Sequence, residues 1–359
     1  MSMDHSKFNS RSAVKGLARR TLIKLTAGFL IAALLPLSAS GAYAQPSPLK
    51  SKMFDLSQEA KEVIREKPLH NGTVLQSFAI DNANGRIYTV QLMAGGQQLP
   101  DETAPVSGAA RSSSGDLALT QLDMNGNELG HMFLKGFGHG VQIGVEADGS
   151  QAYLWTETDS VTESGSGWGT QLTRFAFQDG AILTPESPEL EKYRLIPGAD
   201  RTTVHIDQAN GLLTMRYRLN GAFHFGVYEL EKVKQHIYEP VADVLQPSLG
   251  TFQGFASYGG YLYLLEGSAY GSAGSVEGTG NTYITVVKLS TGEVVDRQLI
   301  LTAPELTYRE PEGMSIRIPD IRHPQKAELC FGFASAFTPN RLASIYAFDR
   351  LLPEQALQD

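Results

Sequence analysis

Five side chains, His139, Glu146, Glu157, Glu266 and Glu312, supply the imidazole and carboxyl groups from which general acid–base chemistry is built. His139 and Glu312 suit a base and an acid if folding makes them converge. Glu146, Glu157 and Glu266 offer carboxylate pairs of the kind that cleave sugars, where the separation sets the stereochemistry. Local catalytic motifs are missing: Gly313-Met314-Ser315 lacks the second glycine of a nucleophile elbow, and no two histidines have the spacing of a zinc-protease helix. Asp123-Met124-Asn125-Gly126-Asn127-Glu128 begins like a calcium loop, but its twelfth position is Leu134 rather than Glu, so it reads as a hairpin turn. No metal ligands and no cofactor are therefore assigned, beyond room for a bound cation such as calcium.

What must position these groups is visible in FGHGVQIGVE, residues Phe137 to Glu146, where three glycines and a histidine open an apolar strand. The stretch belongs to a repeat. Ala79-Ile80-Asp81-Asn82-Ala83-Asn84-Gly85-Arg86-Ile87-Tyr88 returns as His205-Ile206-Asp207-Gln208-Ala209-Asn210-Gly211-Leu212-Leu213-Thr214. Aligned on these copies, Gln76, His139, Thr202, Gln253 and Glu312 occupy one slot, spaced 63, 63, 51 and 59 residues apart. Periods of that length signal propeller blades. A second series of strands, 119–124, 172–178, 225–230, 284–290 and 343–349, also numbers five. The fold expected is all-β, a five-bladed β-propeller with blades of about 72–136, 137–190, 191–245, 246–303 and 304–359. The last unit is short of a fourth strand after Asp349, so a strand from before Gly72 is expected to complete it. Residues 45–71 otherwise read as a linker with one short helix, between Met53 and Pro68, from the spacing of Phe54, Leu56, Ala60, Val63 and Ile64 with Ser57 as N-cap.

In such a ring the five slots face one another across the axis, and a glycine lets backbones approach closely. Gln76, His139, Thr202, Gln253 and Glu312 should then surround one channel mouth, either bonding one another or meeting a ligand. Three Gly/Ser-rich insertions, 93–115, 157–169 and 266–280, join second to third strands and so share that face. They carry Trp168, Tyr270, Asp101, Glu102, Asp159, Glu163 and Glu277, and the strands feeding them end in Gln91, Trp155, Tyr217 and Glu266. Aromatic rings mixed with polar groups suit a polyol or sugar.

Arg19-Arg20-Thr21-Leu22-Ile23-Lys24, an apolar run to Leu37 and Ala42-Tyr43-Ala44 read as an export signal that resembles the twin-arginine type, with the general secretory route as the alternative and cleavage expected after Ala44. The apolar run falls short of the roughly 20 residues of a membrane span. Cleavage removes six basic residues and one acidic one, taking the net charge from −8 to about −13. No basic stripe is present, which excludes a nucleic-acid partner. Cys330 is the sole cysteine, so no intramolecular disulfide forms, and in Leu329-Cys330-Phe331 it reads as a buried structural thiol.

Arg65-Glu66-Lys67-Pro68-Leu69-His70-Asn71-Gly72-Thr73-Val74-Leu75-Gln76-Ser77-Phe78, Gly138-His139-Gly140-Val141-Gln142-Ile143-Gly144-Val145-Glu146 and Gln253-Gly254-Phe255-Ala256-Ser257-Tyr258-Gly259-Gly260-Tyr261-Leu262-Tyr263 resemble the TagC-like family, named for teichoic-acid biosynthesis. It shares a five-bladed propeller with the receptor-binding proteins of some staphylococcal phages. The resemblance spans about Phe54 to Asp349 and implies binding of cell-wall glycopolymer, with no catalytic residues to carry over. An acidic protein needs local help to hold a phosphate polymer, and Arg216 and Arg218, a bound cation, or ammonium groups on the polymer are candidates. The expected function is a secreted module binding cell-wall polymer or carbohydrate at the channel mouth. The alternatives are an exported carbohydrate-active enzyme using the channel carboxylates with His139, or a protein-interaction scaffold.

Overall fold

In a computed structural model that describes residues 51–353, the chain is built almost wholly of strands. The export signal expected at residues 1–44 lies outside the described residues. Strand β1 (Lys61–Pro68) comes first. Blade one runs β2 (Leu75–Asp81), β3 (Arg86–Leu92), helix α1 (Gly108–Ser114), β4 (Leu117–Asp123) and β5 (Glu128–Leu134). Blade two contains β6 (Gly144–Asp148), β7 (Gln151–Thr158), an inserted hairpin β8 (Val161–Glu163) and β9 (Ser166–Trp168), and β10 (Gln171–Ala176). Next, β11 (Ile182–Leu183) reaches back to add in parallel to β5, and β12 (Glu191–Tyr193) forms the outer edge of blade two. Blade three is β13 (Asp200–Asp207), β14 (Leu212–Leu219), β15 (Ala222–Glu229), helix α2 (Leu230–Lys234) and β16 (Pro240–Leu245). Blade four is β17 (Phe252–Tyr258), β18 (Tyr261–Glu266), β19 (Tyr283–Lys288) and β20 (Glu293–Leu299). Blade five holds β21 (Glu310–Arg317), β22 (Glu328–Ser335) and β23 (Leu342–Phe348).

The innermost strands β2, β6, β13, β17 and β21 touch in sequence, and β2 meets β21 to close the ring. A five-bladed propeller results. Side chains alternate across each strand, so every blade has two apolar faces to bury. Five hydrophobic clusters do this, one in each gap between neighbouring blades. Cys330 lies fully buried in the gap between blades five and one, where desolvation pushes its thiol well above the usual range.

The helix expected between Met53 and Pro68 does not form. Residues 61–68 are instead the outer strand of blade five, pairing antiparallel with β23 from Lys61↔Ala347 to Pro68↔Leu342. Covering the open edge of β23 outweighs a weak local helical pattern. Two register shifts, near Ile64, and a left-handed Glu66 (φ 46°) break the period of two that marks a strand. Ser57 caps nothing, since its hydroxyl donates to Asp55 Oδ1 at 2.6 Å. The propeller therefore begins at β1 rather than at residue 72, and β12 puts the boundary between blades two and three after Tyr193.

Candidate functional site

The loop-bearing end of the ring is shaped by a buried carboxylate. Residues 137–143 are irregular, and β6 begins only at Gly144, later than FGHGVQIGVE suggests. Glu157, at the end of β7, is fully buried: its Oε1 accepts from the backbone N–H groups of His139 (2.9 Å) and Gly140 (2.7 Å), and its Oε2 from Gly169 (2.6 Å). Burial lifts its pKa to about 7 against the pull of those three donors. Gly138 shows why a glycine is needed here, because a Cβ would lie 2.1 Å from the Glu157 Cδ and its φ is +155°. The Gly-His-Gly lip is a wrapping for this carboxylate.

The lip presents His139 outward against Trp168 of β9, rings stacked with centroids 4.7 Å apart at 17°. Arg201 places its guanidinium 4.2 Å from the same indole. His139 Nδ1, Trp168 Nε1 and Thr203 Oγ1 are buried and have no hydrogen-bond partner. Burial and the Arg201 charge lower His139 to about 4, so its ring is neutral at physiological pH. Beside them Arg216 of β14 is only 6 % exposed and has no carboxylate within salt-bridge distance. Its Nε donates to Gln246 Oε1 at 2.7 Å, and its guanidinium lies 3.8 Å from the Phe223 ring and 4.0 Å from Phe252. Burial, with Arg201 nearby, lowers its pKa to about 9, so it stays cationic at neutral pH.

The loops around this cluster are folded onto each other. Arg111 of α1 is buried between Glu102 (Nη2 to Oε2, 2.6 Å) and Asp116 (Nη1 to Oδ2, 2.9 Å), which shapes the insertion of blade one. That insertion meets the hairpin of blade two, with Thr162 Oγ1 donating to Ser113 O at 2.8 Å and Ser112 Oγ to Gly165 O at 3.3 Å. Glu163 of β8 accepts from Arg201 and Arg218, both at 2.8 Å, and these hydrogen bonds hold its carboxyl at about 2. Arg218 also pairs with Asp200 at 2.6 Å, so its charge is spent within the protein.

The five slot residues do not form one open rim. Thr202 is buried with its Oγ1 donating to Gln171 O at 3.2 Å, and Gln76 is half-buried. Gln253 Nε2 donates to Gly267 O at 3.2 Å and lies 3.5 Å from Glu310 Oε1, which places it with Glu310 and Glu312 between blades four and five. Glu312 is buried with no side-chain hydrogen bond among the described residues, and desolvation followed by the Glu310 charge raises its carboxyl well above the usual range. His139 and Glu312 share no hydrogen bond and belong to separate clusters. Beneath this level the ring is closed: Ser77 Oγ donates to Gly140 O at 2.6 Å, and a Cβ on Gly313 would sit 2.6 Å from the Ser77 Cα. Gln142, with no exposed surface, lies across the axis and bonds to backbone of blades one, two, four and five.

Several expected contact residues are structural. Trp155 is fully buried and donates from Nε1 to Glu146 Oε2 at 3.1 Å. Tyr217 is buried, its hydroxyl donating to Asp243 at 2.6 Å. Tyr270 bonds Pro304 O at 2.9 Å and packs the insertion of blade four against the entry to blade five. The carboxylates are apart too: Glu266 is buried with Arg297 at 2.8 Å, whereas Glu146 pairs with Arg174 at 3.0 Å and Lys234 at 2.6 Å. Burial opposes charge on Glu146, but Lys234, Arg174 and Trp155 outweigh it and hold its pKa below the usual value. None of the three carboxylates pairs with another. Arg201 and Gln142 carry the site and the axis without a motif in the sequence, although both sit one to three residues from a repeat slot. Among the described residues, three potential metal donors converge at His70, Glu128 and His131, on the flank of blade one.

The comparisons with known proteins bear on the fold and the family. A teichoic acid biosynthesis protein C of Bacillus subtilis (strain 168) is 27 % identical over 310 residues, 83 % of this chain and 64 % of that protein. The chain thus spans less than two thirds of that relative's length. Among solved structures, the tail fiber of Staphylococcus aureus phage P68 superposes with a TM-score of 0.64 at 20 % identity, over 82 % of this chain and 54 % of the fiber. Residues 74–347, from the start of β2 into β23, match the phage five-bladed beta propeller receptor binding platform domain, and the chain belongs to that family.

Proposed function

We propose that this protein is a binding module for an anionic cell-wall glycopolymer of teichoic-acid type, held at the loop-bearing face across blades two to four. Arg216 carries the reading. Its guanidinium is removed from water with no carboxylate in direct contact, Glu157 acting on it only at longer range, and an arriving phosphate supplies that contact in charge-assisted hydrogen bonds. Trp168 and His139 add a stacked aromatic surface with unpartnered ring nitrogens beside it, suited to a sugar or polyol unit. Membership of a receptor-binding family and the name of the Bacillus relative support the same ligand class. The reading places the mature protein outside the cytoplasm after removal of residues 1–44, with no nucleic-acid partner; among the described residues no helix is long and apolar enough to cross a membrane.

Sedimentation of the purified protein with cell walls tests this. Walls carrying the phosphate polymer should retain it, and walls stripped of that polymer should not. Equal retention on both overturns the proposal. Glu312 favours one alternative, an exported carbohydrate-active enzyme, because burial shifts its carboxyl toward the protonated form, the direction a general acid requires. Release of reducing ends from wall polymer, abolished in Glu312→Gln, would establish that activity in place of simple binding.

A further inference from the structure

On the flank of blade one, two imidazoles face one carboxylate. His70 belongs to the segment joining β1 to β2, and Glu128 and His131 lie three residues apart on β5. His70 Nδ1 is 3.0 Å from Glu128 Oε1, and His131 Nδ1 is 3.4 Å from the same oxygen. Donor atoms of all three residues lie within 4.8 Å of one another. The imidazoles are stacked with centroids 3.4 Å apart, both set edge-on against Phe133 at about 5.5 Å. His70 is anchored by its backbone N–H donating to Thr120 Oγ1 at 3.3 Å, and His131 by its N–H donating to Asp179 Oδ1 at 2.9 Å.

Bonds of about 2.0–2.1 Å around a tetrahedral zinc ion place neighbouring donors about 3.3–3.4 Å apart. The two nitrogen-to-oxygen separations already lie close to that edge. Two imidazoles and one carboxylate favour zinc or a neighbouring transition ion over calcium or magnesium, which prefer all-oxygen shells. Flat stacking of two rings with both Nδ1 atoms on one acceptor is also an unfavourable rest state, since aromatic rings prefer offset or edge-on contact. We propose that His70, Glu128 and His131 form a divalent transition-metal site, with zinc as the fitting ion and the remaining coordination open to solvent. Side-chain exposures of 24 % and 29 % let the imidazoles fan apart so that the ion enters both ring planes. A bound ion ties the strand-to-strand segment that links blade five to blade one onto β5. In a chain with one cysteine no disulfide can brace that seam, and a metal clip does the same mechanical work.

Untagged, chelator-treated protein titrated with zinc chloride in a calorimeter tests the site. One ion per chain is expected, together with a melting temperature that rises with zinc concentration. His131→Gln and Glu128→Gln, both at partly exposed positions, should each weaken binding by at least about tenfold while leaving the metal-free melting temperature near that of the parent. His70→Gln provides a third variant on a different segment. Failure of the parent protein to bind zinc overturns the proposal, and so does unchanged affinity in all three variants.

Discussion

Gln142 and Met314, 172 residues apart in sequence, exchange two hydrogen bonds on the propeller axis: Gln142 Nε2 donates to Met314 O at 2.7 Å, and Met314 N donates to Gln142 Oε1 at 3.1 Å. The same amide accepts from Phe255 N at 3.2 Å. One side chain thus serves backbone groups of several blades that strand pairing leaves over. Gln142→Leu keeps the approximate volume but strands those groups, and each buried unsatisfied group costs about 1–3 kcal/mol. A loss of roughly 3 kcal/mol or more is expected, read as a lower urea midpoint with an unchanged slope.

Trp168 and Arg216 should fail differently when replaced. Trp168→Ala removes stacking worth about 0.5–1.5 kcal/mol beyond area burial, lowering wall binding several-fold at any ionic strength. Arg216→Gln removes a charge, so binding should fall about tenfold or more at low salt and lose much of its salt dependence. Sedimentation with walls across a salt series separates the two.

Arg111 anchors the insertion of blade one between Glu102 and Asp116, both themselves removed from solvent. Arg111→Met leaves the buried Asp116 without its cation and Glu102 with Lys135 alone, and breaking such a buried pair costs about 3–5 kcal/mol. The effect should be local. Limited proteolysis is expected to cut within residues 93–116 while the ring stays resistant, and wall binding should weaken because this insertion supports the hairpin carrying Trp168.

His139 and Glu157 titrate in opposition. His139 falls from 6.5 to about 4 on folding, so its contribution is intact above about pH 6.5 and is lost as pH drops toward 4, where the unfolded chain binds a proton that the native ring refuses. Glu157 rises from 4.5 to about 7, so it destabilises the native state progressively as pH climbs through that interval. The two nearly cancel in the parent protein. In His139→Gln only the Glu157 slope remains, and stability relative to the parent should fall as pH rises from about 4 to 6.5, by at most about 1.4 kcal/mol per pH unit. Urea midpoints at several pH values check this.

The ring was legible because its repeat is written in turn chemistry. Asp81 and Asp207 each accept through Oδ1 from the backbone two and three residues on, and Asn84 and Asn210 return to the same aspartates, so two copies of one turn look alike as text. The third strands, set by alternating Val, Ile, Tyr and Phe, fell within about three residues of β4, β10, β15, β19 and β23. The site was less legible. Residues in one repeat slot share backbone position, but Gly-His-Gly at 138–140 bends around Glu157 outside any strand, while Thr202 sits at the register shift of β13, so equivalent positions point differently. Trp155 and Tyr217 looked like platform residues by type and turned out to be filling the gap between blades two and three. His70 and His131 are 61 positions apart, a distance that no local motif can encode.

Pairing of Lys61 with Ala347 means that the first strand of the propeller has no partner until nearly the whole chain has been made. A ribosome-bound intermediate holds four complete blades at most, with the hydrophobic flank of blade one facing water where blade five belongs. Closure is then a single late event joining the two extremities of the domain, and it converts a string of modules into one cooperative object. A truncation at either extremity, even by one strand, should be felt as loss of the entire ring rather than of a single blade.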